Sequence, residues 1–165
     1  MKYVLEVVST SPEATQKIGT KLARRLAAGD TLFLSGELGA GKTCLVQGVA
    51  KGLGVSEYAQ SPSFVLVREL YGDLPLYHVD LYRLDHIEEI ADLGLDDYLY
   101  GSGVCVVEWA EKGSAVLPAE HMEVQIDYLS DNERRLRLVP HGRRYVDLLK
   151  ELKSDLREGA VAGSD

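Results

Sequence analysis

Gly36, Gly41, Lys42 and Thr43 stand at the spacing G-x-x-x-x-G-K-[ST], the pattern of a backbone that wraps a chain of phosphates. Its glycines let the run Gly36-Glu37-Leu38-Gly39-Ala40-Gly41-Lys42-Thr43 curl so that successive N–H groups point inward at phosphate oxygens. A helix opening at the end of the loop adds partial positive charge at the same place. Lys42 is then the residue that reaches the β- and γ-phosphates, and the Thr43 hydroxyl the one that ligates Mg²⁺. The candidate nucleotide-binding run is Gly36 through Cys44. A glycine-rich turn that merely carries Lys-Thr is the bland alternative, and a strand before and a helix after the run argue against it.

Such a loop needs an acid on a neighbouring strand to help hold the metal. Asp80 follows the apolar run Leu76-Tyr77-His78-Val79, and Glu108 follows Val104-Cys105-Val106-Val107. Both acids are expected to emerge at the carboxyl edge of a sheet, where phosphates sit. With two, one can serve the metal while the other orients or deprotonates a water; residue types alone do not divide the roles, and a solvated strand-end carboxylate is the ordinary fate of either. Ser61-Pro62-Ser63-Phe64 stands where many phosphate-loop proteins keep a switch segment, although Ser-Pro is also a common turn. Trp109, the sole tryptophan, either caps the core or stacks on a ligand or partner. The segment near Ser9 to Ser11 is a candidate for the adenine side. The Asn/Thr-Lys-x-Asp segment of guanine readers does not occur, so ATP is expected over GTP. A small-molecule kinase usually adds an arginine-rich lid; the candidates Arg134, Arg135 and Arg137 lie on an expected strand, Arg143 and Arg144 at a helix start, and the chain has little length to spare for one.

These groups need a frame. Tyr3–Val8 reads as a strand. Ser11 reads as the N-cap of a helix with Pro12 at its first position, Ile18, Leu22 and Leu26 inward, and Gly29 at its end. Thr31–Leu34 is a short apolar strand running into the loop; the helix after it turns Leu45, Val46, Val49 and Leu53 inward. Phe64–Leu70 and Leu76–Leu81 read as a hairpin across Tyr71–Pro75. Asp85 to Glu88 has the form of a capping box, with Ile87 and Ile90 inward. Gly103–Val107 is a buried strand. Met122, Val124, Ile126 and Tyr128 alternate with polar residues, which predicts a half-exposed strand paired across Ser130-Asp131-Asn132 with Leu136 and Leu138. Tyr145, Leu148, Leu149 and Leu152 mark a last amphipathic helix. The expected fold is α/β of phosphate-loop NTPase type: a mixed sheet, parallel around the loop and antiparallel towards the C-terminus, flanked by helices. One domain over 1–153 and a flexible tail over 154–165 are expected.

A chain of 165 residues suits one domain. Its formal net charge of −8 is a poor match to a phosphodiester backbone, which disfavours unaided nucleic-acid binding. No apolar run nears the ~20 residues that span a bilayer. The first residues lack a signal-peptide pattern, so a cytoplasmic protein with no membrane partner is expected. Cys44 and Cys105 match no metal spacing and are expected to be small reduced core residues.

Taken together, the loop Gly36–Thr43, Ser61-Pro-Ser-Phe64, His78-Val-Asp-Leu-Tyr-Arg-Leu84 and Val107-Glu-Trp109 resemble the bacterial ATPase subunit of tRNA threonylcarbamoyladenosine biosynthesis (TsaE, formerly YjeE). The resemblance covers roughly residues 3 to 150. The loop is generic; the His-x-Asp-x-Tyr-Arg run and the Glu-Trp pair are the specific part. The resemblance implies a Mg²⁺-dependent ATPase, weak alone, that is required for N6-threonylcarbamoylation of adenosine 37 in tRNAs reading ANN codons. It implies as partners a heterodimer of the transferase and its inactive paralogue, with tRNA met only through that complex and hydrolysis resetting it between turnovers. It implies that Thr43 and Glu108 hold Mg²⁺, that Lys42 holds phosphate, that Asp80 is the acid tied to hydrolysis, and that Trp109 neighbours the site or the partner. Ser63 departs from the family's usual Thr, and Ala110 from its frequent Pro. A small-molecule kinase and a nucleotide-gated binding module are the alternatives on the same loop.

Overall fold

The computed structural model describes residues 3–37, 40–56 and 67–162, the last five by backbone alone. Leu38, Gly39, the switch candidate Ser61–Phe64 and the last part of the tail lie outside the described residues.

Strands β1 (Leu5–Ser9), β2 (Thr31–Gly36), β3 (Val67–Leu70), β4 (Leu76–Asp80), β5 (Val104–Glu108), β6 (His121–Tyr128) and β7 (Arg134–His141) form a single sheet in the order β1-β7-β6-β2-β5-β4-β3. β2 is parallel to both of its neighbours, β5 and β6, and β4 is parallel to β5. β6 and β7 form the expected antiparallel hairpin, β1 adds to β7, and β3 closes the other edge on β4. The mixed sheet predicted from the apolar patterns is therefore present.

The strand alternation splits the core between two faces. Leu32, Leu34, Val106, Val124, Leu136 and Leu138 pack against α1 (Pro12–Ala23), α2 (Lys42–Gly52) and α5 (Arg143–Ala162), which supply Leu22, Leu45, Val49, Tyr145, Leu148, Leu149 and Leu152. Val79, Cys105 and Val107 face the other way, under Leu81, Ile90 and Leu99 from the segment carrying α3 (Ile87–Ala91) and α4 (Asp96–Leu99) and under Leu117 from the segment after β5. α1 is tied to α2 by Thr20, whose hydroxyl donates to the Gly48 carbonyl at 3.0 Å, and by Gln16 Nε2 donating to Gln47 Oε1 at 2.9 Å. That tie sets the helix that carries Lys42.

Local expectations fared unevenly. Ser11 caps α1 as read, accepting from Ala14 N–H at 3.0 Å. The helix, however, ends at Ala23 rather than at Gly29. Asp30 explains the early stop: its carboxylate accepts from Ala27 N–H at 2.7 Å and from Arg144 at 2.8 Å, which holds 24–30 as a turn. The capping box at Asp85 does not form. α3 begins two residues later with His86 as its cap and no side-chain cap bond, and Ile87 is exposed while Ile90 is buried. Leu84 is buried and its carbonyl accepts from Lys112 at 3.2 Å, so the chain is fixed just before Asp85 and enters the helix late. The tail boundary at 154 falls inside α5; Asp155 is held there by Arg25, whose Nε donates to it at 2.7 Å. No helix among the described residues is long and apolar enough to cross a membrane.

Candidate functional site

The carboxyl ends of β2, β4 and β5 come out side by side, because parallel neighbours point the same way. β2 leads into the phosphate loop, and Asp80 and Glu108 are register partners on β4 and β5. Gly36 passes so close to β6 that a Cβ there would lie 2.6 Å from the Ile126 carbonyl oxygen. Gly41, at φ +106°, turns the chain into α2 through the left-handed region that favours glycine. Both glycines of the spacing are therefore required by the backbone path. Ala40 is buried, Glu37 is exposed, and Thr43 is the second residue of α2.

Lys42 Nζ lies 3.6 Å from Glu108 Oε1, and His78 Nε2 donates to Glu108 Oε2 at 2.7 Å. Glu108 and His78 are both almost fully buried. Burial pushes the Glu108 carboxyl up; the His78 hydrogen bond and the positive charge of Lys42 outweigh it and hold the group below its ordinary value. Glu108 is thus a buried carboxylate kept ionised, the state a metal ligand requires. Asp80 differs. It is half-buried, accepts from Tyr82 N–H at 2.9 Å, and burial with the nearby Glu108 charge raises its carboxyl above the usual range. A more basic carboxylate beside an ionised one is the division of labour that acid–base work needs.

The site has an aromatic wall. Trp109 directly follows Glu108 at φ +62°, the sole non-glycine residue in the left-handed region among the described residues. Such backbone costs about 1–3 kcal/mol. It places the indole face 5.4 Å from Lys42 Nζ, with the Tyr82 ring 5.1 Å away. Lys112 donates to the Tyr82 and Leu84 carbonyls and ties the segment after β4 to the segment after β5.

On the other flank, Arg134 opens β7, the strand position expected of it. Its Nε donates to the Ala40 carbonyl at 2.9 Å, its Nη1 to the carbonyls of Ser130 at 2.6 Å and Glu133 at 2.9 Å, and its guanidinium lies 4.6 Å from the Tyr128 ring centre. Arg134 is a clamp on the phosphate loop. Arg135, Arg137, Arg143 and Arg144 pair with Asp127 and Glu6 on the sheet, Asp147 on α5 and Asp30 in the turn before β2, so all the lid candidates are committed elsewhere. A shallow pocket beside the clamp is lined by Ser11, Thr15, Gly41, Cys44, Asn132 and Arg134 among others. Ser11 lines it. Ser9 does not: it is buried, bonded to the Ser11 carbonyl at 2.8 Å and to Thr15 at 2.7 Å. Cys105 is a core residue, its thiol pushed up to about 12 by burial. Cys44 is only part-buried, so the expectation of a second core cysteine fails; the start of α2 faces the pocket there.

The structure brings the sequence candidates Lys42, Asp80 and Glu108 together, with Thr43 in the first turn of α2, and adds His78, which sequence reasoning missed as the partner of Glu108. The signal was available, since His78 and Asp80 alternate on one strand beside Glu108.

Comparison with known proteins gives a consistent result. The family model described as "Threonylcarbamoyl adenosine biosynthesis protein TsaE" matches residues 9–136. A Bacillus subtilis (strain 168) protein named tRNA threonylcarbamoyladenosine biosynthesis protein TsaE is 43% identical over 146 residues, 87% of this chain and 90% of the relative. A Treponema pallidum protein of the same name is 41% identical over 132 residues, 80% of this chain and 98% of the relative. The crystal structure of Bacillus subtilis YdiB superposes with a TM-score of 0.82 at 38% identity, covering 94% of this chain and 97% of that one.

Proposed function

The chain belongs to the TsaE family of tRNA threonylcarbamoyladenosine biosynthesis proteins, and from that premise we propose that it binds ATP with Mg²⁺ and hydrolyses it as an accessory subunit of the threonylcarbamoyl transferase complex. The observation that carries this reading is the buried Lys42–Glu108–His78 cluster at the mouth of the phosphate loop, with Asp80 beside it.

The residues present fit a nucleotide and a hard cation. Gly36 and Gly41 follow a backbone path that a side chain would obstruct or strain, and Glu108 stays ionised despite burial. Thr43 and Glu108 would hold Mg²⁺, whose contribution is to neutralise charge on the phosphate oxygens. Lys42 exchanges its hold on Glu108 for phosphate oxygens and keeps them aligned. His78 holds the Glu108 carboxylate in one orientation through the 2.7 Å hydrogen bond, which fixes the ligand oxygen. Asp80 accepts the proton of the attacking water, a role that its raised basicity suits. The Trp109 and Tyr82 rings limit water on that side. The pocket lined by Ser11, Cys44 and Asn132 lies on the side proposed for the adenine.

We further propose the heterodimer of transferase and inactive paralogue as the partner, meeting tRNA on behalf of this acidic chain, in the cytoplasm. The test is phosphate release by the full chain, alone and with the purified heterodimer. A low rate that rises on addition is expected. Asp80→Asn is expected to keep ATP affinity and lose about 100-fold or more in rate. A rate indifferent to saturating heterodimer sinks the accessory-subunit reading.

A further inference from the structure

His121, Glu123 and His141 bring one ligand atom each to within 4.8 Å of one another. They sit far from the phosphate loop. Along β6 the loop is met at Ile126, which pairs with Gly36; His121 is five residues earlier, about 17 Å away at strand rise. The topology makes the cluster. His121 and Glu123 alternate onto the same face of β6, and the hairpin register sets His141 of β7 opposite His121.

The donors are arranged as metal ligands usually are. His121 Nδ1–H donates to the Pro118 carbonyl at 3.1 Å, which leaves Nε2 as the ring's acceptor. Metal-binding histidines commonly spend their second nitrogen in this way on a carbonyl. Phe33 stacks on His121 at 3.7 Å and fixes the ring plane, and His141 stacks on its neighbour at 4.5 Å. Gln125 Nε2 donates to Glu123 Oε1 at 2.7 Å, and this holds the carboxylate so that Oε2 meets His141 Nε2 at 3.0 Å. All three residues are part-buried, so the cluster is both supported and reachable from solvent.

We propose that His121, Glu123 and His141 form a Zn²⁺ site, with the fourth position open to water. Two imidazoles and one carboxylate are a borderline-soft set that suits zinc, whereas Mg²⁺ takes oxygen ligands. Tetrahedral zinc places its ligand atoms roughly 3.4 Å apart. Glu123 and His141 stand close to that spacing at 3.0 Å, and the whole set lies within 4.8 Å, so side-chain adjustments of under about 2 Å bring it to that spacing. The ion takes the place of the proton shared by His141 and Glu123. Bound there, it staples the start of β6 to the end of β7, just before α5 begins.

The experiment titrates Zn²⁺ into the metal-stripped full chain without nucleotide, by calorimetry, and repeats the titration with Co²⁺ read by visible absorption. One equivalent at micromolar affinity or tighter is expected, with d–d bands free of thiolate charge transfer, and with millimolar Mg²⁺ unable to compete. His141→Ala, at the exposed end of β7, is expected to weaken binding at least 10-fold, and so is Glu123→Gln; Lys42→Ala is expected to leave it unchanged. His121→Ala removes a ring from the Phe33 stack, so its fold is checked by circular dichroism. An absence of binding, or binding that His141→Ala and Glu123→Gln both leave intact, overturns the site.

Discussion

The two halves of the sheet handle charge in opposite ways. In the parallel half, Lys42, Glu108, His78 and Asp80 are drawn together at one edge and largely removed from water. In the antiparallel half, the pairs Arg135–Asp127 at 3.3 Å and Arg137–Glu6 at 3.7 Å lie along an open face. Parallel strands deliver their carboxyl ends to the same side, so acids at the ends of β4 and β5 must converge beside the loop that ends β2. Antiparallel strands send alternate ends in opposite directions and scatter their termini. Burial then multiplies the difference: exposed pairs contribute about 0–1 kcal/mol, while removing one member of a buried pair costs roughly 3–5 kcal/mol.

The sharpest way to break that comparison is Lys42→Ala. The variant loses the cation that phosphates require and leaves Glu108 buried without its lysine. ATP affinity is expected to fall by about 100-fold or more, since a charge-assisted contact contributes about 1.5–3 kcal/mol, against about 0.5–1.5 kcal/mol for an ordinary hydrogen bond, and Lys42 makes more than one to the phosphates. Titration calorimetry with MgATP measures it. Near-normal affinity would show that the parallel half does not hold the nucleotide.

Much of that half was legible because its signals are local. Thr31–Leu34 and Val104–Val107 are continuous apolar runs, the glycine spacing is contiguous, and each acid follows its strand at once. The β6–β7 hairpin was legible for a different reason, since period-two alternation and a polar turn survive in any context. What failed was tertiary. Asp85 and Glu88 have the spacing of a capping box, but the anchoring of Leu84 by Lys112 decides where the chain enters α3. Arg134 reaches the Ala40 carbonyl across 94 positions, and no sequence period encodes that contact. His121, Glu123 and His141 lack the close spacing by which metal sites are read; only the hairpin register unites them.

Arg134 is a point where the antiparallel half reaches the phosphate loop, so it tests whether the halves are independent. Arg134→Ala frees the Ala40 carbonyl and the turn carbonyls of Ser130 and Glu133. A loss of about 1–3 kcal/mol in stability is expected from groups left without a charged donor, together with roughly 10-fold weaker ATP binding as the loop loosens. Arg135→Ala, one residue on, removes only the exposed pair with Asp127 and should cost under about 1 kcal/mol. Urea denaturation of both variants compares them directly. Equal losses would mean that exposure, and not reach into the loop, governs this half.

The smallest expected effect concerns the proton on Glu108. Its folded-state value lies below the unfolded one, so the native state binds fewer protons and stability rises with pH across that window. The contribution is complete above the ordinary glutamate range and is lost as pH falls through the depressed value. The net effect is modest, because burial opposes the His78 and Lys42 interactions that lower it. Glu108→Gln keeps an acceptor for His78 but does not titrate. The stability difference between wild type and Glu108→Gln should therefore shrink on acidification from about pH 7 to about pH 3, measured by denaturant melts along a pH series. A difference that stays flat or widens towards acid would place the carboxylate's stabilisation outside the buried cluster. The contrast between a shielded parallel edge and an open antiparallel face would then rest on Lys42 alone.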